Sequence, residues 1–174
     1  MTSKRYAANT EVSPQRSRME IEQVLERYGT EDFVYGHDRQ KAMIAFTYQG
    51  MPVRITMPMP NRDDFQHYER RTNRGVTRLE RTESSQENLY RQAERQAWRA
   101  LLLVIKAKLE AIAAGITTFE QEFLPYMLLP DNTTVSDRII PGIHQLLEDG
   151  HLPELMPRQQ GAIALGAPVQ QPEV

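Results

Sequence analysis

Apolar side chains recur with a helical period near the start of the chain. Four of them form one stripe, at Ile21, Val24, Leu25 and Tyr28. Ser13 followed by Pro14 is typical of a helix start, because the hydroxyl can accept from free amides and proline suits the first helical position. Gly29 suits a helix end, since a positive φ costs little there. The pattern therefore predicts a helix over residues 14–28.

After this helix the apolar period changes to two residues, which is typical of strands with one buried face. The middle strand, residues 41–48, has its apolar side chains at alternate positions, namely Ala42, Ile44, Phe46 and Tyr48. Shorter strands are predicted over residues 33–35 and 53–57, and Gln49 with Gly50 suits a tight connection. We therefore predict a three-stranded antiparallel meander.

A long helix is predicted over residues 86–114, which contain neither glycine nor proline. Ser84 and Glu87 have the spacing of a capping box at its start. Its centre, residues 100–105, is apolar on every side of a helix. We expect this centre to lie in the middle of the core, with the sheet on one side and C-terminal helices on the other.

Shorter helices are predicted after the long one. Thr117 and Glu120 have capping-box spacing and begin a helix that Pro125 should end or kink. A last helix contains Pro141, which we expect to disturb it. Residues 126–129 are apolar and fit either a strand or a helix. Together these elements predict an α+β fold.

The same pattern predicts the domain organisation. We expect a flexible N-terminus over residues 1–12, a single domain over 13–155 and a disordered tail over 156–174. Residues 61–85 have no sustained apolar period and predict a long polar loop within the domain. Because long structureless loops are uncommon in compact domains unless they are functional, this loop is the first place to expect a partner contact.

Composition excludes several classes of function. The 174 residues contain no cysteine, which rules out disulfides and thiolate catalysis. Glycine-rich phosphate loops, nucleophile elbows and closely spaced histidine metal motifs are missing, so we predict a non-enzymatic protein without cofactor or metal. No apolar stretch approaches the roughly 20 residues that cross a bilayer, and we expect no membrane partner and a cytoplasmic location.

Charge is unevenly distributed along the chain, although the net charge is only −2. Residues 68–109 carry ten basic and five acidic side chains, whereas residues 110–174 carry two basic and nine acidic ones. Arginine suits bidentate contact with phosphate, and tyrosine rings can stack on bases. The candidate nucleic-acid-binding residues are Arg70, Arg71, Arg74, Arg78, Arg81, Arg91, Arg95, Tyr68 and Tyr90. The alternative is an ordinary solvated face, because glutamates are interleaved with these arginines.

Two carboxylate pairs leave a third possibility open. Asp63 with Asp64 and Glu120 with Glu122 would suit a metal-dependent nuclease. A polar loop explains the first pair and the first turn of a helix explains the second, so neither requires a metal. Trp98, which accompanies the arginines, can equally be a core residue, since tryptophan is usually largely buried.

Two stretches of the chain, SPQRSRMEIEQVLERYGTEDFVYG and WRALLLVIKAKLEAIAAGITTFEQEFLPYMLLPDNTTV, and the spacing between them resemble a family of small uncharacterised bacteriophage and prophage proteins. The resemblance covers about residues 6–155 and implies a mobile-element origin in a bacterial host, but no catalytic residues.

The function predicted from these observations is a phage or prophage accessory protein that binds nucleic acid, DNA or RNA, single- or double-stranded. The alternative is a protein-interaction module that uses the acidic residues 110–174, either as a homo-oligomer or as an inhibitor of a host protein.

Overall fold

The computed structural model describes residue 7 and residues 9–38, 40–73 and 75–149. The chain divides into two compact units, Met1–Ser136 and Asp137–Val174. Most of the N-terminus predicted to be flexible, residues 1–12, and all of the predicted tail, residues 156–174, lie outside the described residues. A single domain over residues 13–155 stays a prediction.

The fold is α+β, as predicted from the sequence. In chain order the helices and strands are α1 Pro14–Arg27, β1 Phe33–His37, β2 Lys41–Tyr48, β3 Met51–Pro58, β4 His67–Thr72, β5 Gly75–Glu80, α2 Glu83–Ala113, α3 Phe119–Phe123 and α4 Val135–Asp149. Two 3₁₀ turns, Arg62–Phe65 and Leu124–Tyr126, complete the described secondary structure.

The first helix forms as its sequence predicts. The Ser13 hydroxyl accepts a hydrogen bond from the backbone N–H of Arg16 at 3.2 Å, which satisfies one free amide of the first turn. The apolar stripe of α1 faces the core, where Ile21 and Leu25 are fully buried. Gly29 adopts a positive φ of 82° just beyond the helix, which lets the chain turn towards the sheet.

The three-stranded sheet is the predicted antiparallel meander, in the order β1-β2-β3. Its buried face is built from cross-strand pairs in which Ile44 lies opposite Ile55 and Phe46 opposite Val53. A two-residue turn joins β2 to β3, and both of its residues have positive φ, 47° at Gln49 and 74° at Gly50. This geometry matches the twist of the flanking strands.

One hydrophobic core joins the sheet to α1, α2 and α3. The ring of Phe46 meets that of Phe123 edge-on at 5.7 Å, and the ring of Tyr35 meets that of Trp98 at 5.4 Å. Trp98 is almost fully buried, so it is a core residue rather than part of a surface site.

The centre of α2 is buried on one side only, and the expectation that it is covered on every side is wrong. Leu103 and Val104 are 42% and 45% exposed. The buried residues of α2 fall on a single stripe, at Trp98, Leu101, Leu102, Ile105 and Leu109. Because the sheet and its neighbouring helices pack against this one stripe, the opposite side of the helix remains open.

Two helix caps differ from the predicted ones. The side chain of Thr82 caps α2 and accepts from the N–H of Ser85 at 3.4 Å, so the helix begins before the predicted capping box. The capping box of α3 is formed by Thr118 and Gln121, one residue later than the predicted pair. In both cases a neighbouring threonine in extended conformation takes the capping position.

The long loop predicted over residues 61–85 is wrong for most of its length. It contains the 3₁₀ turn Arg62–Phe65, the antiparallel pair β4 and β5, and the first residues of α2. The reason is that neither face of the β4 and β5 pair is buried, so its sequence has no apolar alternation to reveal the strands.

Beyond α3 the chain returns to the edge of β3. The apolar run over residues 126–129 is neither a helix nor a full strand, because Met127 forms an isolated antiparallel bridge with Val53 and Leu128 forms one with Thr134. The last helix, α4, is continuous and contains Pro141. None of the helices in the described part of the chain combines the length and hydropathy that a membrane crossing requires.

Candidate nucleic-acid interface

Strands β4 and β5 form a two-stranded hairpin, residues 67–80, which we call the arm. The strands pair from His67 opposite Glu80 at the base to Thr72 opposite Gly75 at the turn. Among the described arm residues, only His67 and Leu79 are partly buried, and the rest are exposed. The arm therefore offers both of its faces to solvent along most of its length.

The two faces of the arm differ in charge. Residues directly opposite each other share a face, and neighbours along a strand alternate between faces. One face, here called the mixed face, carries arginines, both glutamates and a histidine, at His67, Glu69, Arg71, Val76, Arg78 and Glu80. The other, here called the acid-free face, carries Tyr68, Arg70, Thr72, Thr77 and Leu79.

Three of the predicted phosphate ligands lie on the arm and have few side-chain contacts within the described part of the chain. The side chains of Arg70 and Arg71 make no hydrogen bond or ion pair with any residue that the structure describes. Arg78 lies opposite Glu69 in the ladder, and its Nη2 lies 3.3 Å from Nδ1 of His67. Arg74, also predicted as a phosphate ligand, lies outside the described residues. The arm thus holds the predicted arginines that are most accessible to an anion.

Arg81 holds the base of the arm. Its Nη1 donates to the carbonyl oxygens of Phe65, at 3.2 Å, and His67, and its backbone N–H donates to the carbonyl of Gln66 at 2.8 Å. Its guanidinium lies 5.2 Å from the ring centroid of Tyr68, whose side chain is 40% exposed. These contacts give Arg81 a structural role, because they tie the start of β4 to the residue that follows β5.

The predicted site residues at the start of α2 also have partners. The Nε of Arg91 lies 2.7 Å from Glu87, and the same carboxylate lies 2.6 Å from Arg62. The guanidinium of Arg62 in turn lies 4.6 Å from the ring centroid of Tyr90. A phosphate at Arg91, or a base at Tyr90, would therefore compete with contacts that already exist.

The guanidinium of Arg95 donates hydrogen bonds to uncharged oxygens. Its Nε donates to Oε1 of Gln92 at 3.2 Å and to the carbonyl of Thr10 at 3.3 Å. The side chain of Gln92 also donates to that carbonyl, at 3.1 Å. Arg95 thus helps to fasten the segment before α1 to the long helix.

The carboxylate pairs have local explanations. Oδ1 of Asp63 accepts from the side chain of Gln66 at 2.7 Å, and Glu122 pairs with Lys108 at 2.8 Å. The pKa of Glu120 is lowered, chiefly by hydrogen bonding of its carboxylate to its own backbone N–H and then to the side chain of Thr118. Over the described ranges, no group of three histidines or carboxylates is arranged to hold a metal ion. Nothing in these contacts favours the nuclease alternative.

The hairpin backbone is the feature of the site that sequence reasoning missed. Local signals for it exist, because Thr72, Val76 and Thr77 favour strands and glycine at position 75 favours a turn; the structure gives Gly75 a φ of 132°. These signals are weak without a buried face. The arginines themselves were recognisable from the charge pattern, but their arrangement on two faces was not.

The chain matches no protein-family model, and no curated protein or solved structure matches it significantly. Function is therefore inferred from the chain's own geometry, and above all from the arm.

Proposed function

We propose that this protein binds nucleic acid through the arm, without catalysis, using Arg70, Arg71 and Arg78 to contact phosphates. The observation that supports the proposal is a strand pair exposed on both faces, in which Arg70, Arg71 and Arg78 have no described carboxylate within ion-pair distance. A phage or prophage setting, and the cytoplasm of a bacterial host, belong to the same proposal through the sequence resemblance alone.

An exposed two-stranded arm suits a charged ligand better than an apolar one. A hairpin without a packed face is marginally stable by itself, so this one contributes little to the core. Among the described residues of the arm, the large exposed hydrophobic side chains are Val76, at 55%, and Tyr68, at 40%, and the phenol ring of Tyr68 lies beside Arg81. Arginine forks match phosphate oxygens in geometry and charge, and a phosphate backbone would supply the partners that Arg70 and Arg71 lack.

The other predicted residues have secondary places in this proposal. Arg74 lies outside the described residues and stays a predicted phosphate ligand. Arg91 and Arg95 would have to leave Glu87 and Gln92 to bind phosphate, and Arg81 would have to release the base of the arm. We therefore assign the main contacts to the arm.

Fluorescence anisotropy of labelled DNA and RNA oligonucleotides, single- and double-stranded, tests the proposal. We expect binding that weakens between about 50 and 200 mM salt, because each phosphate contact releases a counterion. Replacing Arg70, Arg71 and Arg78 together by glutamine should weaken binding at least about tenfold at the lower salt. It should also reduce the slope of log K against log salt by about 1 for each phosphate contact that is removed.

A matched control removes three positive charges elsewhere, by replacing Arg27, Lys41 and Lys106 with glutamine; all three are exposed and lie on other elements. This control should retain most of the affinity. The proposal fails if no oligonucleotide binds at about 50 mM salt, or if the arm variant binds as tightly as the control.

The protein-interaction alternative is supported by a different observation, on α4. Ile140, Ile143 and Leu147 are exposed and fall at i, i+3 and i+7, which makes one apolar stripe on that helix. Such a stripe suits docking into an apolar groove of another protein or another copy. Light scattering that gives a dimer mass, lost on replacing Leu147 with glutamate, would favour this function over the first.

A further inference from the structure

Building on the proposed function, we infer that the ligand is B-form duplex DNA. The arm enters its major groove with the acid-free face towards the base edges. The proposed function leaves DNA, RNA and single strands equally open. Three features distinguish among them, namely the width of the arm, the contacts that the predicted stacking tyrosines already make and the charge of each face of the arm.

The width of the arm fits one groove in particular. Paired strands lie about 4.8 Å apart, and each six-residue strand of the arm extends about 20 Å. The major groove of B-DNA is about 12 Å wide and admits a two-stranded ribbon, whereas the minor groove is about 6 Å wide. The major groove of A-form RNA is deep and narrow, and side chains do not reach its bases. A ribbon exposed on both faces therefore fits the B-DNA major groove without deforming it.

The aromatic rings favour a duplex over a single strand. Proteins that bind single strands stack successive bases on exposed rings along a positive groove. Here the ring of Tyr90 lies beside the guanidinium of Arg62, and that of Tyr68 lies beside Arg81. The two tyrosines therefore do not present a row of unoccupied rings.

The charge of the two faces indicates which one meets the bases. The mixed face carries Glu69 and Glu80, whose carboxylates would be repelled by DNA phosphates on both walls of the groove. The acid-free face carries Arg70 directly opposite Thr77. Arginine pairs with O6 and N7 of guanine, and threonine contacts the methyl group of thymine, so this face has the chemistry of base readout.

Arg70 therefore moves from the phosphate contact of the proposed function to a base edge, which leaves the phosphates to Arg71 and Arg78. Arg71 and Arg78 lie on the mixed face, so they point away from the floor of the groove in this orientation. Their long side chains can reach phosphates at its rim, where they add affinity but little sequence preference. Arg70 and Arg71, although adjacent in sequence, should therefore respond differently to changes in the bases.

Competition titrations on the full-length protein test the ligand class. The probes are a mixed-sequence DNA duplex of about two helical turns, the RNA duplex of the same sequence and each DNA strand alone. We expect the DNA duplex to bind at least about tenfold more tightly than the others. Methyl green, which occupies the major groove, should displace the protein, whereas netropsin, which occupies the minor groove, should not.

Guanine analogues test the orientation. In a duplex whose guanines are replaced by 7-deazaguanine, the N7 acceptor is missing. The wild-type protein and the Arg71→Gln variant should both lose about fivefold or more in affinity on that duplex, whereas Arg70→Gln should bind both duplexes equally. Since both side chains are exposed, unchanged circular dichroism is expected for each variant and checks that the arm variants fold.

The outcomes separate the two levels of the proposal. Failure to bind any nucleic acid overturns the proposed function and this inference with it. Binding to the RNA duplex or a single strand as tightly as to the DNA duplex, or displacement by netropsin alone, overturns the inference and leaves the proposed function standing. Equal sensitivity of Arg70→Gln and Arg71→Gln to the guanine analogue overturns the assignment of the acid-free face.

Discussion

The three-stranded sheet and the arm are both antiparallel, but they differ in what covers them. In the sheet, Ile44 and Ile55 face each other across β2 and β3 and are buried against the helices. In the arm, Arg71 and Val76 face each other in the same kind of ladder, and both are exposed. The same backbone hydrogen bonding therefore serves a core in one place and presents charged side chains in the other.

This difference teaches how the two ladders are stabilised. The sheet is stabilised by apolar burial, which couples every strand to global unfolding. The arm depends on its own ladder and on contacts at its base, where Arg81 holds two backbone carbonyls. We therefore expect the arm to open locally at a lower free energy than the sheet, and its side chains to be changed with little cost to the fold.

The largest expected effect comes from truncating one residue in each ladder. Ile44→Ala, at a side chain that is 1% exposed, should lower the free energy of unfolding by about 2 to 5 kcal/mol, because it leaves a cavity in the core. Val76→Ala, on the exposed arm, should change it by less than about 0.5 kcal/mol. Urea denaturation measures both. If Val76→Ala lowered the free energy of unfolding as much as Ile44→Ala, the arm would be packed like the sheet, and the two ladders would not differ in what stabilises them.

A smaller effect should come from the glycines at the turns. Gly50 has a φ of 74° and Gly75 a φ of 132°, so a side chain is strained at either position. Gly50→Ala should lower the free energy of unfolding by about 1 kcal/mol, since its turn sets the register of the buried sheet. Gly75→Ala should leave that value unchanged but speed amide hydrogen exchange within the arm. A lower free energy of unfolding of the whole protein in Gly75→Ala would contradict the expectation that the arm opens locally.

The sheet could be predicted from the sequence because a strand with one buried face has apolar residues at alternate positions. Ala42, Ile44 and Phe46 alternate with less buried neighbours, and that alternation gives the strand and its buried face together. The sequence of the arm has no such alternation, because neither of its faces is buried. Its arginines were visible as a charge excess, whereas their division between two faces depends on a pairing register that charge does not determine.

The long helix shows a second limit of sequence reasoning. Its length was predicted well, because glycine and proline are absent from it. The burial of its centre was not, since Leu103 and Val104 are as apolar as Leu102 and Ile105 yet lie on the open side. Which side of an all-apolar helix is covered depends on where the sheet packs, and that is a property of the tertiary structure.

The smallest expected effect is one of pH, at the turn between β1 and β2. Hydrogen bonds from the backbone N–H of Gln40 and then of Lys41 hold the pKa of Asp38 below its usual 3.8. A carboxyl group whose pKa is lower in the folded state stabilises that state above its unfolded pKa, and the contribution is lost as pH falls through the folded pKa. The turn of the arm, where the Thr72 hydroxyl donates to the Gly75 carbonyl at 3.1 Å, has no titrating group in this contact.

Asp38→Asn separates this titration from the shape of the turn. The amide oxygen can still accept both hydrogen bonds, but it carries no charge to lose, so the decline in stability on the acid side of about pH 4 should be shallower than in the wild type. Asp38→Ala, which removes the acceptor, should instead lower stability at neutral pH as well. Thermal unfolding measured across this pH range, with amide NMR of both turns, follows the two ladders separately. Two results would contradict this prediction: a pKa of Asp38 at or above 3.8, or amide signals of the arm's turn that change with acid pH as much as those of the turn between β1 and β2.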